Sequence, residues 1–133
     1  MWLYLLHEHH LYLAYDIDTA IAEIRPINQQ QVSVATINIQ KELNVFDLTK
    51  KFEIGDGTKD GDYFAFYEIA RMCSMPNFND SNYYKPTQKI SSYIKSLGFD
   101  GIIYPSALRD KGKNVLIFEF DNPNLDNEYF KIV

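Results

Sequence analysis

Four polar residues of this 133-residue chain stand where apolar runs end: Tyr12 in "HLYLA", Glu23 in "TAIAEI", Gln88 in "KPTQKI" and Ser106 after "IIYP". A tyrosine offers a flat ring with a wet hydroxyl, a glutamate a negative charge, a glutamine an amide, and a serine a hydroxyl. The first three also read as surface decoration, and Ser106 as a turn residue whose hydroxyl satisfies a local backbone donor. Serine-hydrolase chemistry has little behind it, because no G-x-S-x-G elbow occurs and the histidines cluster at the N-terminus. Those histidines form "HEHH", residues 7 to 10. If the segment is a strand, His7 and His9 point the same way, which suits two metal ligands. No further histidine completes a set, no HExxH is present, and Cys73 within "EIARMCSM" reads as a small buried hydrophobe. The pattern therefore predicts no metal.

These groups need elements to hold them. His10 to Ala14 alternates and is rich in β-formers, which predicts a strand. Asp16 or Asp18 can cap a following helix, which Pro26 ends. On it Ile17, Ala20, Ile21 and Ile24 share a face, and Glu23 lies at the border of that stripe. Residues 32 to 40 alternate as a strand, with Ser33, Ala35, Ile37 and Ile39 on one face, and residues 43 to 49 predict another. Residues 53 to 62 are a Gly/Asp-rich connector without the spacing of a phosphate loop or a calcium hand. A helix is predicted from Tyr63 to Met75, then a loop over 77 to 86 in which Pro86 starts the next helix. That helix carries Ile90, Tyr93, Ile94 and Leu97 on one face and Gly98 as its C-terminal cap. "DGIIYPS" gives a strand that ends at Pro105, residues 114 to 120 a further one, and "EYFKIV" an edge strand. Strands and helices mix without a regular βαβ rhythm, which favours α+β over a doubly wound sheet.

The bulk properties bound the function. The length fits a single domain over residues 1 to 133, with 46% apolar and 23% charged residues. A net charge of −5, a pI near 5.1 and no dense Lys/Arg run argue against a nucleic-acid partner. The apolar start is too short to cross a membrane and lacks a signal peptide's basic head and cleavage site. A single cysteine excludes an internal disulfide and suits a cytoplasmic protein.

Three separated stretches together resemble one family. "YLAYDIDTAIAEIRP", "KPTQKISSYIKSLGFDGIIYPS" and "GKNVLIFE" are similar, in order and approximate spacing, to the RES domain. The resemblance implies an ADP-ribosyltransferase-like split, mostly antiparallel sheet with flanking helices. It further implies a toxin of a toxin–antitoxin pair that cleaves NAD at the nicotinamide–ribose bond, by hydrolysis, phosphorolysis or ADP-ribosyl transfer. NAD is then the substrate, and a cognate antitoxin protein the partner. By motif the family's tyrosine falls on Tyr12, its glutamate on Glu23 and its serine on Ser106. Tyr12 and Ser106 would also contact NAD, with Arg25, Gln88 and Asn114 in supporting roles. The family's arginine lies about ten residues before the motif tyrosine, in an Arg-x-Asn-Pro-x-Gly segment; this chain reads "MWLYLLHEHH" there. Two expectations follow: an enzyme whose N-terminal portion is lacking, or a degenerate, non-catalytic RES-fold interaction domain.

Overall fold

A computed structural model describes residues 2–7, 10–50, 68–69, 71, 81–118 and 130–132. Strand β1 (Trp2–His7) pairs antiparallel with β2 (His10–Ala14), so "HEHH" begins on the last residue of one strand and ends on the first of the other. His7 and His10 oppose one another, and His9 lies outside the described residues, as does Cys73. No grouping of three metal-ligating side chains exists among the described residues. His10 instead packs edge-on against Phe118, ring centroids 5.9 Å apart.

Helix α1 (Ile17–Ile24) starts at Asp16, whose carboxylate accepts from the Thr19 backbone N–H at 2.9 Å and from its hydroxyl at 2.7 Å. One side chain thus caps the helix and satisfies a hydroxyl, which lets Thr19 be wholly buried. The helix ends at Arg25, in the left-handed region at φ 50°, immediately before Pro26. Strands β3 (Ala35–Ile39) and β4 (Val45–Asp47) follow, each shorter than its sequence pattern predicts.

Of the helix predicted over 63 to 75, only Glu68, Ile69 and Arg71 are described, and they are helical. The connector at 53 to 62 lies outside the described residues. Helix α2 (Ser81–Ser96) corrects the loop predicted over 77 to 86 from Ser81 onward, with Pro86 inside the helix, while residues 77–80 lie outside the described residues. A proline deletes one i→i−4 bond and crowds residue i−4, which disfavours a helix there without forbidding the turn before it. Gly98, at φ 93°, ends α2 as expected, its N–H bonding Lys95 O at 3.0 Å. The final strands are β5 (Gly101–Pro105), β6 (Lys113–Ile117) and β7 (Phe130–Ile132).

Among the described residues the sheet has seven strands in the order β4-β5-β6-β2-β1-β3-β7. Only β4–β5 is parallel, and the chain between them contains α2; the other neighbours are antiparallel. The protein is α+β, as its mixed rhythm predicts. β5 and β6 approach so closely at Gly101 that any Cβ there would strike the Leu116 carbonyl oxygen.

Alternation divides the side chains between two faces. Leu11, Leu13, Ile37, Val115 and Ile117 form a sealed apolar layer on one. On the other, Ile102, Tyr104, Leu116 and Phe118 pack with Leu48 and with Ile94 from α2. Of the four apolar residues predicted to share a face of α2, Ile90 and Ile94 pack, while Tyr93 and Leu97 are exposed. Among the described residues, no helix is long and apolar enough to cross a membrane.

Candidate active site

Register positions the site. Ala14 on β2 and Tyr104 on β5 both oppose Asn114 on β6, while Tyr12 and Ile102 oppose Leu116. Tyr12 and Asn114 are therefore diagonal neighbours on one face, roughly 7–8 Å apart at the backbone. Tyr12 is half-buried against the cluster beneath α2. Asn114 is fully buried.

Glu23 reaches this face from the last turn of α1. Its predicted apolar stripe is partly corrected: Ile17 and Ile24 are exposed, and Thr19 and Ala20 are the buried residues. Glu23 follows Thr19 by four positions and Ala20 by three, so it shares the buried side rather than bordering it. Gly112 leaves room for this packing, because a Cβ there would lie 2.7 Å from Thr19 Oγ1 and 3.1 Å from Ser106 Cβ.

Two donors from distant parts of the chain meet on one carboxylate oxygen. Ser106 Oγ donates to Glu23 Oε1 at 2.6 Å, and Asn114 Nδ2 donates to the same atom at 2.6 Å. Ser106 Oγ accepts in turn from the Leu108 N–H at 3.2 Å, while the Ser106 N–H bonds Gly112 O at 2.8 Å. With Oε1 held from two directions, the carboxylate plane is fixed and Oε2 is aimed by the protein rather than by solvent. Among the described residues Asn114 Oδ1, which is buried, has no hydrogen-bond partner, an arrangement that costs stability.

Of the residues singled out from sequence, Glu23, Ser106 and Asn114 are in direct contact and Tyr12 shares their sheet face. Arg25 caps α1 two residues beyond Glu23 and is exposed. Gln88 lies on α2, and its side chain is outside the described residues. Thr19, Gly112 and Arg109 belong to the site's frame without having been singled out. Arg109 binds Asp18 Oδ2 at 3.1 Å and approaches Asp16 Oδ1 at 3.7 Å. The two hydrogen bonds from Thr19, then the Arg109 charge, hold the Asp16 carboxyl below its ordinary value. Burial, then the Asp47 carboxylate, pushes the Tyr15 phenol up.

The arrangement suits stabilisation of positive charge developing on a substrate, because it presents one oriented carboxylate in a half-dry setting. No curated protein and no solved structure matches the chain. A family model described as the RES domain matches residues 9–130. That span takes in Tyr12, the Glu23–Ser106–Asn114 cluster and the whole of strands β2 to β6, and the chain belongs to the RES domain family.

Proposed function

We propose that this chain binds NAD and cleaves its nicotinamide–ribose bond. The observation that carries the reading is the convergence of Ser106 and Asn114 on Glu23 Oε1. When the C–N bond breaks, its electron pair neutralises the pyridinium ring and leaves an oxocarbenium-like ribose. The oriented Glu23 carboxylate stabilises that cation and receives hydrogen bonds from ribose hydroxyls. Tyr12 stacks on the cationic nicotinamide ring. Since the Ser106 hydroxyl proton is engaged by Glu23, this serine acts first by holding the carboxylate, and its contact with NAD is through the remaining lone pair. Arg25, Gln88 and Asn114 have supporting roles in this reading. Water, phosphate or a protein side chain then adds at the anomeric carbon and loses its proton. The α+β sheet with helices beside it is compatible with an ADP-ribosyltransferase-like frame. In this reading the protein is a cytoplasmic toxin held in check by a cognate antitoxin.

A second reading rests on the N-terminal departure. Residues 1 to 10 contain no arginine, and strand β1 occupies the stretch where the family's Arg-x-Asn-Pro-x-Gly segment falls. Loss of a phosphate-gripping guanidinium weakens charge-assisted binding, and the fold would then serve as an interaction domain. Release of nicotinamide from NAD, followed for the wild type and Glu23→Gln, separates the two. The enzyme reading expects a fall of about 10²–10³-fold in kcat for the variant; equal, background release from both proteins leaves the interaction domain.

A further inference from the structure

The loop from Ser106 to Gly112 touches both ends of α1. Near the helix C-terminus, Ser106 holds Glu23. At the N-terminus, Arg109 spans Asp16 and Asp18, and Gly112 lies against Thr19. Within the loop, the Gly112 N–H bonds Arg109 O at 3.1 Å, and Lys111 adopts a left-handed conformation at φ 59°. The turn that presents the guanidinium is therefore built by the loop's own backbone and closes onto the Ser106 N–H through Gly112 O. We propose that Arg109 is a positioning residue, a latch on Asp16 and Asp18 that fixes the Ser106–Gly112 loop so that Ser106 reaches Glu23.

Geometry favours this role over anion binding by Arg109, because its two aspartates outweigh its single charge. The latch is half-exposed, 44% at Arg109 and 61% at Asp18, so it adds little to global stability and acts locally. Asn114 is anchored inside β6 and keeps its grip on Glu23 without the latch. Freeing Arg109 thus removes one of the two donors that orient the carboxylate. This affects the oriented transition state more than substrate binding.

The kinetic arm of the test rests on the NAD reading; the exchange arm does not. Arg109→Ala, Arg109→Lys, Asp18→Asn, Ser106→Ala and the double variant Arg109→Ala/Ser106→Ala are compared with the wild type. For Arg109→Ala we expect kcat to fall about tenfold with KM within about twofold, and Arg109→Lys to recover most of the loss. The double variant should be no worse than Ser106→Ala, since both remove the same contact. Amide hydrogen exchange at Ser106 and Gly112 should quicken about two- to fivefold in Arg109→Ala and Asp18→Asn, with unchanged melting temperature. Raised salt should quicken it in the wild type but not in Arg109→Ala. Unchanged exchange in both latch variants overturns the proposal, as does an additive loss in the double variant. If even the wild type releases no nicotinamide, the NAD reading fails, and exchange alone decides the latch.

Discussion

The same three strands, β2, β5 and β6, make two different faces. Leu13 and Val115 oppose one another in a sealed apolar layer. One residue along, Ala14, Asn114 and Tyr104 oppose one another on the reverse face. There an amide sits where a leucine would be expected, with one of its polar atoms unsatisfied. The sealed face has the composition that folding requires. The other accepts a buried polar group that folding disfavours, and directs it at the carboxylate of Glu23. Such a local violation in an otherwise consistent sheet is what a functional site looks like.

The most forceful way to break this comparison is Leu13→Ala. Leu13 has no exposed surface and lies among Leu11, Ile37, Val115 and Ile117. Its truncation should lower the unfolding free energy by about 2–5 kcal/mol. Denaturant titration measures the loss, and nicotinamide release per folded molecule should stay at the wild-type level. A variant that loses catalysis while remaining as stable as the wild type would show that the two faces are not functionally separate.

Asn114→Leu probes the opposite face and should give the reverse result. It replaces a buried amide by an apolar side chain of similar size and removes the unsatisfied Oδ1. Stability should change by less than about 1.5 kcal/mol, with nicotinamide release down about tenfold through loss of a donor on Glu23 Oε1. A large destabilisation with activity per folded molecule intact would mean that Asn114 is a structural residue.

The contrast between the faces also marks what the sequence discloses. Alternation along His10–Ala14, the Asp16 cap and the Gly98 stop are local, and the fold obeys them. The α+β architecture follows from their order. Local periodicity was less reliable about which way a helix faces. Ile17, Ile24, Tyr93 and Leu97 fit apolar stripes and yet are exposed. Thr19 is buried because Asp16 satisfies its hydroxyl and Gly112 leaves it room, neither of which a hydropathy pattern registers. Pro86 misplaced the start of α2, because its usual first-turn position is a preference and not a rule. The site itself joins residues 83 and 91 positions apart in the chain. Position at the ends of apolar runs marks Glu23 and Ser106 singly, but only the family resemblance joins them to each other and to Asn114, as no spacing rule links such distant positions. Arg109 carried no motif, and only its ion pairs reveal it.

The smallest expected effect concerns the N-terminus of α1, where capping and the latch share a carboxylate. The folded-state value of Asp16 lies below its ordinary 3.8. A carboxyl lowered on folding contributes stability above its unfolded value, and that contribution is lost as the pH falls through the folded one. Since Asp16 is half-exposed, screening keeps the charge component small. The cap itself is worth about 1 kcal/mol. Asp16→Asn retains a capping acceptor and removes only the charge, so it should cost less than Asp16→Ala. Melting temperatures from about pH 6 down to about pH 2.5 should show wild type and Asp16→Asn converging at the acid end, below the ordinary carboxyl range. A gap that persists there would mean that the charge is not what matters at Asp16. The Arg109 latch would then rest on Asp18 alone, and the wet end of α1 would be coupled to the site by packing of Thr19 on Gly112 rather than by charge.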